Sequence, residues 1–195
     1  TDAPMVPVNS YPYLFWKIVW LEATGNVKFA PEKAWGHDFG KTGDATADTV
    51  YTIPATGGDN IPVPGTAGYY MVVVNLKDKL ISIADPKVYI GGDCVGGAYS
   101  NIAENKFTVD NANAKLTITK TLTAGDIRMW AWHKYFGAAQ TPSADWWQEE
   151  FIVLNNLIEF RGTGNDQTRV PLTAGSYKIE LNFKTGAGSI ATVTK

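Results

Sequence analysis

One phrase occurs twice in this chain, and its spacing limits the architectures that can hold it. Val-Pro-Gly-Thr-Ala-Gly-Tyr-Tyr-Met-Val-Val-Val-Asn-Leu at 63–76 returns 107 positions later as Val-Pro-Leu-Thr-Ala-Gly-Ser-Tyr-Lys-Ile-Glu-Leu-Asn-Phe at 170–183. Val63, Pro64, Thr66, Ala67, Gly68 and Tyr70 fall on Val170, Pro171, Thr173, Ala174, Gly175 and Tyr177. A solenoid unit runs roughly 20–50 residues, so this period belongs to a repeated small domain. The boundary is placed at Ala84-Asp85-Pro86, because Pro86 has no N–H to give a strand ladder and a new strand signal starts directly after it. The expected units are residues 1–85 and 86–195. A second anchor, Gly25-Asn-Val-Lys-Phe29 against Gly125-Asp-Ile-Arg-Met129, has an offset of 100, so the second copy gains seven residues around Trp146-Trp147.

Strand signals dominate both copies. Runs such as 14–21, 70–76, 115–120, 127–130 and 177–183 are short, rich in β-branched and aromatic residues, and bounded by Gly, Pro, Asn and Asp. No segment carries an apolar stripe at helical period. The fold class is therefore all-β, with two tandem antiparallel β-sandwich domains and tight hairpins such as Lys184-Thr-Gly-Ala-Gly188. The copies differ at their starts: Val88-Tyr-Ile90 and the following Gly-rich loop have no counterpart before Leu14, so the first copy is either cut short or naturally smaller. In strand 14–21, Leu14, Trp16, Ile18 and Trp20 share one face, where the second copy has Thr117, Thr119 and Thr121. Trp16 and Trp20 are expected to pack against protein, in the core or between the domains, with an exposed ligand face as the alternative.

Composition narrows the function. The chain has 17 basic and 19 acidic residues and no basic block, so the electrostatic footprint of a nucleic-acid binder is missing and neutral partners are favoured. Cys94 is the single cysteine and the histidines number two, which gives no Cys/His metal cluster; an oxygen-ligand calcium site stays open. No cofactor is expected. No run of about 18 apolar residues crosses a membrane as a helix, and the start at Thr1 is that expected of a processed or excised chain. Only 18% of residues are charged, yet there are seven Trp and nine Tyr, a surplus of rings that asks for a use.

A strand cation followed by aromatics supplies one. Lys28 precedes Trp35 in the first copy, and Arg128 precedes Trp130, Trp132 and Tyr135 in the second. The C–H face of a pyranose stacks on an indole or phenol ring, while a cation beside it donates to the ring hydroxyls. Against this stand ordinary readings, with Lys28 and Arg128 as solvated strand residues and one of Trp130 and Trp132 as core. Trp35 in its Gly-flanked loop is read as a platform. Trp146-Trp147 lies in the inserted loop, where two adjacent rings are hard to bury together, and at least one is read as a ligand contact.

At this point the sequence resembles the SusE/SusF starch-binding outer-membrane lipoproteins of Gram-negative glycan uptake. The residues that carry the likeness are 25–40, 88–99 (Val-Tyr-Ile-Gly-Gly-Asp-Cys-Val-Gly-Gly-Ala-Tyr) and 172–181. The resemblance implies tandem immunoglobulin-like carbohydrate-binding modules that do no catalysis, an N-terminal lipid anchor, an outer-membrane location at the cell surface and a place in an uptake complex. By position, the family's strand cation falls on Lys28 and Arg128, and its stacking aromatic on Trp35 and on Trp130 or Trp132. The aromatic after the Gly-rich loop falls on Tyr99, although Gly96-Gly97-Ala98-Tyr99 replaces the usual Gly-Gly-Trp. The polar partner falls on Arg161, Asn165 or Asp166, and in the first copy on Asp59 or Asn60. Lacking the Gly loop, the first copy is expected to hold half a site or none.

Catalysis finds little support. Asp145, Glu149 and Glu150 offer the carboxylates of a glycosidase, but adjacent Glu residues in a polar loop read as a solvated turn, and neither histidine has a nucleophile in a recognisable setting. The expected function is non-catalytic binding of a polysaccharide or oligosaccharide, an α-glucan by resemblance, through Lys28, Trp35, Tyr99, Arg128, Trp130, Trp132, Trp147, Arg161 and Asp166. The rival is a structural or adhesive surface protein whose rings are core or interface anchors.

Overall fold

The computed structural model describes residues 3–46, 49–133 and 145–193; Tyr135, named above with the aromatics after Arg128, lies outside them. Strands of the first repeat are β1 (Val6–Val8), β2 (Tyr11–Leu21), β3 (Asn26–Val27), β4 (Val50–Thr52), β5 (Ile61–Pro62), β6 (Gly68–Asn75) and β7 (Leu80–Ala84). Those of the second are β8 (Val88–Gly91), β9 (Thr108–Asp110), β10 (Lys115–Leu122), β11 (Gly125–Asp126), β12 (Arg128–Ala131), β13 (Glu150–Leu154), β14 (Leu157–Phe160), β15 (Pro171–Leu172), β16 (Gly175–Asn182) and β17 (Ala187–Thr192). All pairings are antiparallel, and no α-helix occurs among the described residues. The fold is all-β, in two tandem sandwich units.

The duplicated phrase forms equivalent parts of the two sheets. In the first repeat the order is β1-β2-β6-β7-β4, with β3-β5 as a separate ladder; in the second it is β8-β12-β13-β14-β17-β16-β10-β9, with β11-β15 apart. The second sheet folds over on itself at the β14–β17 seam, where a single registered pair, Leu157 with Ala187, joins its halves. Ile90, Met129, Phe151 and Val153 of one half and Leu116, Ile118, Ile179 and Leu181 of the other then share one core.

Register explains how one phrase serves two purposes. β2 pairs with β6 as Trp16 with Val73 and Ile18 with Met71; β10 pairs with β16 as Thr117 with Glu180 and Thr119 with Lys178. The 107-residue offset superposes Val73 on Glu180 and Met71 on Lys178, so the same sheet face is apolar in the first copy and polar in the second. In the second copy Thr119 and Lys178 meet solvent, and Glu180 pairs with Lys115 and Lys178. In the first, Leu14, Trp16, Ile18, Tyr69, Met71 and Val73 join the core of the second repeat. Trp16 is 0% exposed and meets Phe160 edge-on at 5.4 Å and Phe151 at 6.5 Å. The opposite face, with Val72, Val74, Ile81 and Ile83, packs under Tyr51, Ile53 and Ile61. β6 is thus buried on both sides, which is why its sequence reads as a continuous apolar run instead of alternating. Trp20 is half-buried, edge-on to Tyr69 at 5.3 Å with the Lys184 ammonium over its face. Both tryptophans therefore pack against protein.

Ile18→Ala should lower the unfolding free energy by about 2–5 kcal/mol, as expected for a buried aliphatic cut to a methyl. Thr119→Ala, at the equivalent register position, should change it by less than about 1 kcal/mol. Urea unfolding followed by circular dichroism measures both, and similar losses would contradict the reassignment of this face.

Candidate functional site

The second repeat brings its site together from four segments. The first is the Gly-rich loop after β8. Gly91 lies flat against β12, where a Cβ would come within 2.4 Å of the Trp130 ring and 2.6 Å of the Ala98 carbonyl. Gly92, at φ +97°, turns the chain so that its N–H meets Ala98 O and its carbonyl accepts from Gly97 N. That closure delivers Tyr99 to the site. The second segment is β12, which carries Arg128 and Trp130. The third is the 3-10 turn Trp146–Glu149, and the fourth the loop from Arg161 to Arg169 after β14.

Tyr99, Arg128, Trp146, Trp147, Arg161, Asp166 and Arg169 line a cavity of about 320 Å³. The Tyr99 and Trp146 rings lie 4.7 Å apart and are tilted by 33°. Trp147 carries the Arg161 guanidinium 4.8 Å above its ring, and Arg128 lies 5.9 Å from Trp146. Trp130 forms the floor: it is 1% exposed, stacks on Tyr89, touches Trp146 and donates its indole N–H to Asn101 Oδ1 at 2.9 Å.

Electrostatically the site is a closed set of pairs. Glu150, 0% exposed, accepts from Arg128 at 2.6 Å and from Arg161 at 3.0 Å, one guanidinium on each oxygen. Arg128, 2% exposed, reaches Asp166 with both terminal nitrogens at 3.3 Å, and Arg169 joins Asp166 at 3.3 Å and Asp126 at 3.8 Å. Burial works against the charged Arg128, but Glu150 and Asp166 outweigh it and hold its pKa above the ordinary value. Burial likewise raises Asp166, yet its bonds and proximity to the arginines leave its carboxyl below the ordinary range. Arginines 128, 161 and 169 are balanced by Asp126, Glu150 and Asp166, so the pocket presents oriented N–H donors without net charge.

Five residues singled out from the sequence, Tyr99, Arg128, Trp147, Arg161 and Asp166, meet in this cavity. Trp130 is placed beneath it as support. Trp132 is half-buried with the Lys87 ammonium 4.8 Å over its ring, outside the cavity lining. In the first repeat Lys28 pairs with Asp38 at 2.5 Å, and Trp35 stands 83% exposed on its loop. Trp146 joins Trp147 in the lining, although of this pair the sequence reading named only Trp147 as a binding residue. Arg169 was missed, and its only sequence signal is its position three residues after Asp166. The solvated-turn reading of the adjacent glutamates is corrected: Glu150 is sealed between two arginines and Glu149 is buried behind the turn. Both arginines come from sequence-distant segments, so local polarity misled. Cys94 is buried, its thiol pushed up to about 11, and is no nucleophile.

The cavity sets aromatic rings beside paired guanidinium groups, and the family that the chain matches is one of carbohydrate-binding modules. Residues 1–82 and 87–189 match the family described as SusF/SusE starch-specific carbohydrate-binding modules, and the chain belongs to that family. It is 35% identical over 193 residues to the outer membrane protein SusF of Bacteroides thetaiotaomicron, covering 95% of this chain and 38% of that protein. The crystal structure of SusF from the same organism superposes with a TM-score of 0.78 at 32% identity, over 96% of this chain and 42% of that one. The chain therefore spans less than half the length of these relatives. Its family consists of binding modules, not enzymes.

Behind the site, His133 and Glu149 are buried with Nε2 and Oε1 4.0 Å apart. Burial, helped by the charge of Lys87, pushes the imidazole down to about 3. Burial raises the Glu149 carboxyl well above its ordinary value. As pH falls below 6.5, the unfolded imidazole takes up a proton that the folded one refuses, so stability from this group is lost down to about pH 3. As pH rises above 4.5, the unfolded carboxyl releases a proton that the folded one retains, so stability is lost in the opposite direction. Relative to wild type, His133→Leu should gain with acidification below pH 6.5 and Glu149→Gln with alkalinisation above pH 4.5, each at up to about 1.4 kcal/mol per pH unit. Urea midpoints at a series of pH values test both slopes.

Proposed function

We propose that this chain captures α-glucan of the starch type at the cell surface without cleaving it, through the cavity of its second repeat. The observation that carries this reading is the placement of Tyr99, Trp146 and Trp147 beside Arg128, Arg161 and Arg169 in one open cavity. Sugar C–H faces rest on the rings, while arginine N–H groups and the Asp166 oxygens meet the hydroxyls. The charge balance suits a neutral ligand, and the tilted Tyr99–Trp146 pair suits a curved chain better than a flat one. Affinity at one site is modest, because hydroxyls exchange water bonds for protein bonds at small net gain. Linkage to further sites on one polymer raises it.

Residues 1–85 and 86–195 act in this reading as two modules, with the second as the principal binder. In the first, Lys28 is engaged by Asp38, and Trp35 stands on an exposed loop. Such a lone platform suits at most half a site. Membership of the SusF/SusE family and likeness to an outer membrane protein support a surface position, lipid anchoring and work within an uptake complex. The spacer or adhesive alternative draws on Trp16, which is an inter-unit anchor. It leaves the exposure of Tyr99 and Trp35 unexplained.

Native gels cast with soluble starch should retard the protein, and Trp147→Ala should weaken binding about tenfold, in line with the worth of one aromatic contact. Trp35→Ala should have a smaller effect. No retardation by starch or any other polysaccharide would remove the proposal.

A further inference from the structure

The turn between β1 and β2 belongs to the first repeat, yet it reaches across to the second and holds two segments of the site. Asn9 is its contact residue. Its side-chain amide donates to Gly162 O and to Gly164 O, both at 2.9 Å, within the turn that follows Arg161. Its main chain grips the other segment: Asn9 N donates to Gln148 O at 2.9 Å, and Asn9 O accepts from Gln148 Nε2 at 3.1 Å. The same Gln148 side chain accepts from Asp145 N at 2.8 Å, closing the turn that carries Trp146 and Trp147. The Ser10 hydroxyl donates to Asn9 Oδ1, which orients the amide with its NH₂ toward the two carbonyls. Pro7 packs beside Gly162, whose φ of +53° suits glycine.

From these contacts we infer that Asn9 is a positioning residue for the second repeat's sugar site, setting the gap between the Trp146-Trp147 turn and Arg161. The inference rests on the reading of that cavity as the glycan site. Trp147 sits under the Arg161 guanidinium, so the ring and the cation belong to the two segments that Asn9 bridges. A small change in the bridge opens or skews the cleft in which a sugar must touch both. The first repeat is thereby a structural component of the second repeat's site, whether or not it holds glycan itself.

The test uses the whole chain with maltoheptaose as probe. Asn9→Ala removes both side-chain bonds. Asn9→Asp keeps the shape but turns the donor into an acceptor facing two carbonyls. Each should weaken maltoheptaose binding in calorimetry by about tenfold, the worth of one or two ordinary hydrogen bonds. Each should also shift the indole N–H resonances of Trp146 and Trp147, assigned through Trp→Phe variants, in the unliganded protein. Asp110→Ala is the stability control: it removes two bonds to Asn113 at the β9–β10 turn and should lower the melting temperature with affinity and both indole signals unchanged. Unmoved indole signals in Asn9→Ala, or an affinity equal to wild type, would overturn the inference. Failure of wild type to bind any α-glucan would instead strike the functional reading, and the indole shifts would still decide the role of Asn9.

Discussion

The apolar contact between the first repeat's sheet and the second repeat's core is the constraint on which the rest depends. Trp16 enters among Phe151 and Phe160, and Tyr69 lies edge-on to Phe183 at 6.3 Å. Such packing is dense and dry, and it fixes orientation as well as separation. Polar bonds that are individually modest then become directional. Tyr69 OH lies 2.9 Å from both Ala114 O and Asn182 Oδ1 and donates its one proton to one of them, and the Tyr69 backbone N–H donates to Asn111 Oδ1. Asn9 does the corresponding work at the turn between β1 and β2. Without the aromatic anchor, a hairpin turn joined to the site loops by hydrogen bonds alone would exchange them for water at little cost.

Within the site, Glu150 has the corresponding role. Two guanidinium groups approach one fully buried carboxylate, and desolvation of three charged groups is offset only because their geometry is close and shared. The return is orientation. Arg128 and Arg161 are held by Glu150 and Asp166 and cannot swing into solvent, so the guanidinium groups that line the cavity keep a fixed orientation. Asp166 completes the enclosure from the solvent side, with three arginines within 3.5 Å of its oxygens. A pocket built in this way offers preorganised donors and no net charge, which favours a ligand that brings many weak hydroxyl contacts and no ionic one.

Much of this was legible in the sequence wherever a local rule was enough. Short β-rich runs and the doubled phrase led to the sheets, the cation-then-aromatic order to Arg128, and the inserted loop to Trp147, while Tyr99, Arg161 and Asp166 came from the family resemblance. The exceptions share a cause. Glu150 reads as surface when only Glu149 and its polar neighbours are considered, because its partners are 22 and 11 residues away. Trp130 fits the stacking pattern by type, but period-2 alternation says only that it shares a face with Trp132, not which layer lies over that face. Asn9 carries no signal at all, since a polar residue before Ser10 in a hairpin is ordinary turn chemistry. Its role exists only once the two copies are docked.

The divergence between the copies follows from the same docking. A sandwich unit keeps one sheet face inward and leaves the other to solvent, and the second repeat obeys this with Thr119 and Lys178 outward. The first repeat turns both faces of β6 toward protein, so positions that are polar in one copy had to become Trp16, Ile18, Met71 and Val73 in the other. With that face committed, Lys28 closed onto Asp38 and no counterpart of β8 or its glycine loop among the described residues, the first copy is shaped as a brace. The repeated phrase marks the scaffold common to both units, and the two units divide the work by what is written on either side of it.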